Sequence, residues 1–157
     1  MEGKVVKIEG EGIEKLVIKQ GGEEKVIDLN EFLKIDENSI EQEMRENPAQ
    51  YAYYASVLAW YEKLRDELSS KLEELEYKKE LSIRKKIAEL GDKVREAEVK
   101  ALVETDEEVL ELRNKVLEVK YVVKRLTALV KGIEKKGDRL SQIYARLSRQ
   151  MRDAGLL

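Results

Sequence analysis

The residues best placed to do chemistry lie in YKKELSIRKKIAELGDKVR, residues 77–95. There Lys78, Lys79, Arg84, Lys85, Lys86, Lys93 and Arg95 are relieved only by Glu80, Glu89 and Asp92. What they offer is positive charge. On a helix Ile83 and Ile87 fall one turn apart and anchor inward, so Arg84, Lys85 and Lys86 project. Nucleic-acid phosphates need such cations on a firm support, with no base to recognise. The same spacing also serves a solvated helix face on which Glu73, Glu74, Glu76 and Glu80 pair with the cations. These residues by themselves leave both readings open.

A second candidate is YAYYASVLAWY, residues 51–61, which holds five of the nine aromatic residues. Base-stacking platforms interleave exposed rings with cations, yet residues 47–61 contain no Lys or Arg. On a helix, Tyr54 and Tyr61 share the apolar stripe of Val57 and Leu64, with Tyr53 and Trp60 on its flank. The expectation is packing: the rings seat the N-terminal segment or a neighbouring helix.

Covalent chemistry finds little to use. The 157 residues include no Cys and no His, which removes thiol nucleophiles, the common zinc sites and the usual base near neutral pH. Carboxylates are abundant, but their helical spacing suggests solvated faces, not a buried pair with divergent pKa values. Gly10, Gly12, Gly21 and Gly22 lie among strand-like residues, without the lysine and helix of a phosphate loop. The chain is expected to be no enzyme and to need no cofactor or metal.

The elements that position these residues follow from composition and period. Charged residues make up 40% of the chain, against roughly 25% in an ordinary domain, which favours long helices and coiled coil. The start, MEGKVVKIEG, lacks an apolar signal core, and no apolar run approaches membrane-spanning length, so a cytoplasmic chain with no membrane partner is expected. A net charge of −3 hides a gradient: residues 109–157 hold 12 basic and 5 acidic groups, whereas residues 1–50 hold 7 and 13. That C-terminal third can face a polyanion.

Period-2 alternation predicts strands near 4–9, 13–19 and 24–29, with a hairpin turn at Gly21-Gly22. Asp28 or Asn30 caps a short turn holding Phe32 and Leu33, and Asn38 or Ser39 starts a helix reaching Glu46. Asn47-Pro48 then signals the start of a long helix to about residue 90. A short helix is expected before Thr105 and Glu108, which form a capping box. Val109, Leu112, Val116, Val119, Val123, Leu126, Val130, Ile133, Gly137, Leu140, Tyr144, Leu147 and Met151 follow at 3-4 spacing, a coiled-coil seam broken only by Gly137. Leu110, Leu117, Val122, Leu129 and Ile143 widen it. Gly137-Asp138 either kinks this helix or ends one and caps another. The fold expected is mainly α: an N-terminal β element over residues 1–34, then long helices over 35–157 forming an oligomeric bundle or coiled coil.

From Ile35 to about Gly155 the chain resembles the UvsY-like recombination mediator proteins of tailed phages. The likeness begins with Ile35-Asp36, Ile40, Glu43, Asn47 and Tyr51 and continues through Trp60 to Ile83-Arg84-Lys85-Lys86-Ile87. That stretch is similar to the family's Leu-Lys-Ala-Arg-Leu element, whose two cations are implicated in holding single-stranded DNA and match Arg84 and Lys86. Lys85 replaces its Ala. Leu102-Val103-Glu104-Thr105-Asp106-Glu107-Glu108-Val109 and the charges from Arg146 to Arg152 complete the resemblance; residues 1–29 have no counterpart in it.

The resemblance implies a DNA recombination and repair mediator. It implies a ring-like homo-oligomer assembled through C-terminal helices, non-specific binding of single-stranded DNA, and contacts with a RecA-like recombinase and a single-strand-binding protein that the recombinase displaces. If the chain is phage-encoded, the compartment is the host cytoplasm. The alternative is a coiled-coil interaction protein without DNA binding, such as a prefoldin-like chaperone or a phage assembly scaffold.

Overall fold

In a computed structural model that describes residues 2–7, 14–20 and 22–156, three strands open the chain: β1 (Glu2–Lys7), β2 (Glu14–Gln20) and β3 (Glu23–Asp28). They form an antiparallel sheet in the order β1-β2-β3, with Val5 opposite Leu16 and Leu16 opposite Ile27. Residues 8–9 and 13 of the expected strands, and Gly21 of the expected turn, lie outside the described residues. Gly22 takes φ of +86°, a conformation open to glycine at little cost, so it turns β2 into β3. Asp28 accepts hydrogen bonds from the Asn30 and Glu31 amides and caps the short α1 (Leu29–Phe32).

The long helices are α2 (Ile40–Glu89, 50 residues) and α4 (Glu107–Asp153, 47 residues), with α3 (Glu96–Glu104) between them. Helix α2 corrects two expectations. It begins at Ile40, where the Asp36 carboxylate accepts from the Asn38 amide at 3.0 Å and the Ser39 hydroxyl at 2.9 Å, while Glu43 accepts from the Asp36 amide at 2.8 Å. It neither ends at Glu46 nor restarts at Asn47-Pro48. Pro48 sits exposed inside the helix and supplies no amide to the Met44 carbonyl. Buried Ile40 before it and buried Tyr54 and Val57 after it hold the helix together across that gap.

The expected capping box at Thr105 and Glu108 is also replaced. Thr105 turns its hydroxyl back onto the Ala101 carbonyl at 2.8 Å, closing α3. Asp106 caps α4 instead, accepting from the Glu108 and Val109 amides at 3.1 and 3.3 Å. Nor does Gly137 end a helix: α4 passes through it without interruption.

Two compact units result, Met1–Trp60 with Val122–Leu157, and Tyr61–Tyr121; the expected boundary at residue 34 falls inside the first. The first unit buries Leu16, Ile18 and Ile27 of the sheet, Ile40, Tyr54 and Val57 of α2, and Val122, Leu126, Leu129, Ile133 and Leu140 of α4. Lys25, on the sheet face shared with Ile27, lies 5.1 Å from the Tyr53 ring centre and 5.3 Å from that of Tyr54. Phe32 meets Tyr54 edge-on at 5.4 Å, and Tyr53 meets Tyr54 at 5.0 Å. The aromatic stretch therefore seats the N-terminal elements, and Tyr54 is its anchor. The second unit buries Tyr61 of α2, Val99 and Val103 of α3, and Val109 and Val116 of α4. No helix among the described residues is long and apolar enough to cross a membrane.

Candidate nucleic-acid interface

The cations of residues 78–95 all belong to the second unit, and the fold uses several of them. Arg84 lies 2.7 Å from Glu80 and 2.6 Å from Glu96, joining α2 to α3. Donating hydrogen bonds to Glu96 and then to Glu80 raises the guanidinium's pKa further, and Arg84 in turn holds the Glu96 carboxyl below its ordinary value. Lys79 sits 2.9 Å from Glu108 and 3.0 Å from Asp106, joining α2 to the start of α4. Its pKa is raised by Glu108 first and Asp106 second, and it is the main reason the Asp106 carboxyl is lowered. Lys78 pairs with Glu74, and Lys85 approaches Glu89 at 3.9 Å. Lys86, Lys93 and Arg95 are exposed and carry no ion pair among the described residues. A phosphate drawn to Arg84 must compete with two carboxylates already in contact, whereas one drawn to Lys86, Lys93 or Arg95 meets no such rival.

The residues of the expected seam divide into two groups. Val109, Val116, Val123, Leu126, Ile133 and Leu140 are buried within the single chain, and Leu112, Val119 and Val130 are half-buried. Tyr144, Leu147 and Met151 are exposed, and no described residue beyond Leu140 is buried.

In the first unit, packing fixes the outward face of α4. With Leu126, Ile133 and Leu140 turned inward, the 3.6-residue period sends Lys124, Lys131, Lys135, Arg139, Arg146 and Arg149 to the opposite side. All six are exposed, and none has an ion pair among the described residues. Lys131, Lys135 and Arg139 follow at four-residue steps, a rise of roughly 6 Å each. Residues 122–157 hold nine basic groups against three acidic ones, so a polyanion on this face meets little repulsion.

Contacts on the inner side hold that face in place. Lys136, only 9% exposed, reaches Glu43 at 2.8 Å, and Glu43 is itself 17% exposed. Lys136 also donates to the Phe32 carbonyl. Asn47, 8% exposed, donates to the Ile133 carbonyl at 3.1 Å. A Cβ on Gly137 would lie 2.7 Å from the Asn47 amide oxygen, and one on Gly132 would collide with Leu33. Charge patterning alone singles out neither Lys136 nor Asn47. Two glycines inside a helix, each costing about 1 kcal/mol in propensity, were the available signal of a close approach.

No protein family, no curated protein and no solved structure matches the chain.

Proposed function

We propose that this chain is a non-catalytic recombination mediator of the UvsY-like kind. It binds single-stranded DNA without sequence preference as a homo-oligomer and helps a RecA-like recombinase onto strands covered by single-strand-binding protein. The observation that carries the DNA-binding part is the outward row Lys124, Lys131, Lys135, Arg139, Arg146 and Arg149, exposed and free of ion pairs among the described residues. A cation already matched to carboxylates must give them up to meet a phosphate, whereas a free one displaces the strand's condensed counterions without that cost. The row on α4 is therefore the main DNA contact, and Arg84 serves mainly to hold α3.

The test is filter binding of labelled oligo-dT across a salt series. Lys131→Ala with Lys135→Ala and Arg139→Ala should weaken binding and flatten the dependence of log K on log salt by about 2, at roughly 0.7 per phosphate contact on single strands. Arg84→Ala should leave that slope unchanged. Equal slopes for the triple variant and the wild type would remove α4 from the interface. The exposed Tyr144, Leu147 and Met151 favour a second reading, a coiled-coil interaction protein; absence of oligo-dT binding even at low salt would select it.

A further inference from the structure

In the second unit, α4 presents apolar groups on two sides. Val109 and Val116 are buried, yet Leu110 and Leu117 face outward at 41% and 56% exposure. Together with Asn114 and Tyr121 they follow at steps of four, three and four residues, the spacing of a seam in which Leu110 and Leu117 occupy one class of position and Asn114 and Tyr121 the other. The flanks of this file differ in charge. Glu111 and Glu118 line one edge, Arg113 and Lys120 the other.

We infer that this file is covered by the same file of a second copy, with the two α4 helices running parallel about a two-fold axis. Two features argue for this occupant. Parallel pairing sets the basic edge of one helix against the acidic edge of its partner, so that Arg113 faces the partner's Glu118, and symmetry repeats the contact. Antiparallel pairing sets like charge against like. A lone asparagine within an apolar seam is, in addition, a device that fixes register and favours two parallel strands over other assemblies. Arg113 already lies 2.7 Å from Glu76, but the guanidinium fork has donors for both carboxylates. Lys124, Lys131 and Lys135 continue the same spacing. The paired stretch therefore ends at Lys124, where like charges meet and the two helices part, each then offering its cation row to the phosphates of the proposed function.

The inference rests on the homo-oligomer reading and commits it to one face and one orientation. The chain contains no cysteine, so a single introduced thiol reports only on its own position. In a parallel pair the two Asn114 positions oppose each other, within disulfide reach; in an antiparallel pair they do not. Asn114→Cys should therefore give a covalent dimer under mild oxidation far faster than Lys100→Cys, an exposed control on α3. Leu117→Glu, at an exposed site that leaves the core intact, should halve the mass measured by sedimentation. Equal cross-linking at the two positions, or an unchanged mass for Leu117→Glu beside an oligomeric wild type, would overturn the inference and leave the homo-oligomer standing. A monomeric wild type would overturn both.

Discussion

Gly137 and Asn47 give the first expected outcome. The Asn47 amide cannot easily yield to a new methyl group, because its nitrogen is engaged with the Ile133 carbonyl. Gly137→Ala should gain about 1 kcal/mol of helix propensity but lose roughly 1–3 kcal/mol to overpacking and the displaced hydrogen bond, for a net loss near 1 kcal/mol. With Asn47→Ala already present, the same substitution should stabilise by about 1 kcal/mol. Urea unfolding of the four species measures the coupling, and stabilisation in both backgrounds would mean that the amide moves freely. Residue-scale chemistry was the least legible in the sequence. Asn47-Pro48 has the form of a helix start, yet Asn47 is turned inward by a partner 86 positions away, and no local pattern encodes that. Lys136 likewise sits among exposed cations in sequence, but in the fold it meets Glu43.

Among the elements, α3 is held by burial and trimmed by charge. It contributes Val99 and Val103 to the core and is tied to α2 through Glu96 and Arg84. The folded chain holds Glu96 below its ordinary value of 4.5, so the unfolded chain takes up protons first. The stability from this contact is fully present above 4.5 and is lost as pH falls through the lowered value. Asp106, held below 3.8 mainly by Lys79, adds a contribution of the same sign at slightly lower pH. Denaturant midpoints measured down the acid limb should fall for the wild type and fall less for Arg84→Gln. Parallel curves would exclude the clamp as the source. At this scale the sequence was far more legible. Period-2 runs marked the strands and the 3-4 spacing marked α4, because both patterns arise from burial itself. The capping pair at Thr105 and Glu108 misled because Asp106, one position on, offers its carboxylate to the same free amides.

For the molecule as a whole, a net charge of −3 means that the proposed binding of a polyanion has to rely on segregation of charge and not on an excess. The aromatic rings bear on how it would be held. Tyr54 is buried, and Tyr53 packs against both Tyr54 and Lys25. Tyr144 lies on the side of α4 opposite the cation row. Residues 122–157 hold no other aromatic residue, so contact along that row should be with the sugar-phosphate backbone. An abasic oligonucleotide should bind nearly as tightly as oligo-dT of equal length, whereas stacking at even one ring would separate them by about 1–3 kcal/mol per base. A large preference for oligo-dT would return the tyrosines to the interface. The seam on α4 was legible as apolar, but not what lies across it. Part of it is closed within the chain by residues of α2 and by Phe32 and Leu33, and a partner of that kind leaves no mark on the spacing.

Beyond Leu140, α4 continues for about three turns with no described residue buried. A helical stretch that short is marginal in water without support from elsewhere. Its amide protons should therefore exchange with solvent sooner than those near Ile133, as those of an unsupported end do. Arg146 and Arg149 ride on that end, which should then follow an irregular strand more readily than the buried stretch of the helix. If DNA settles there, deuterium uptake over residues 141–153 should slow sharply on addition of oligo-dT, and the end of the chain would act as a latch that stiffens only when occupied.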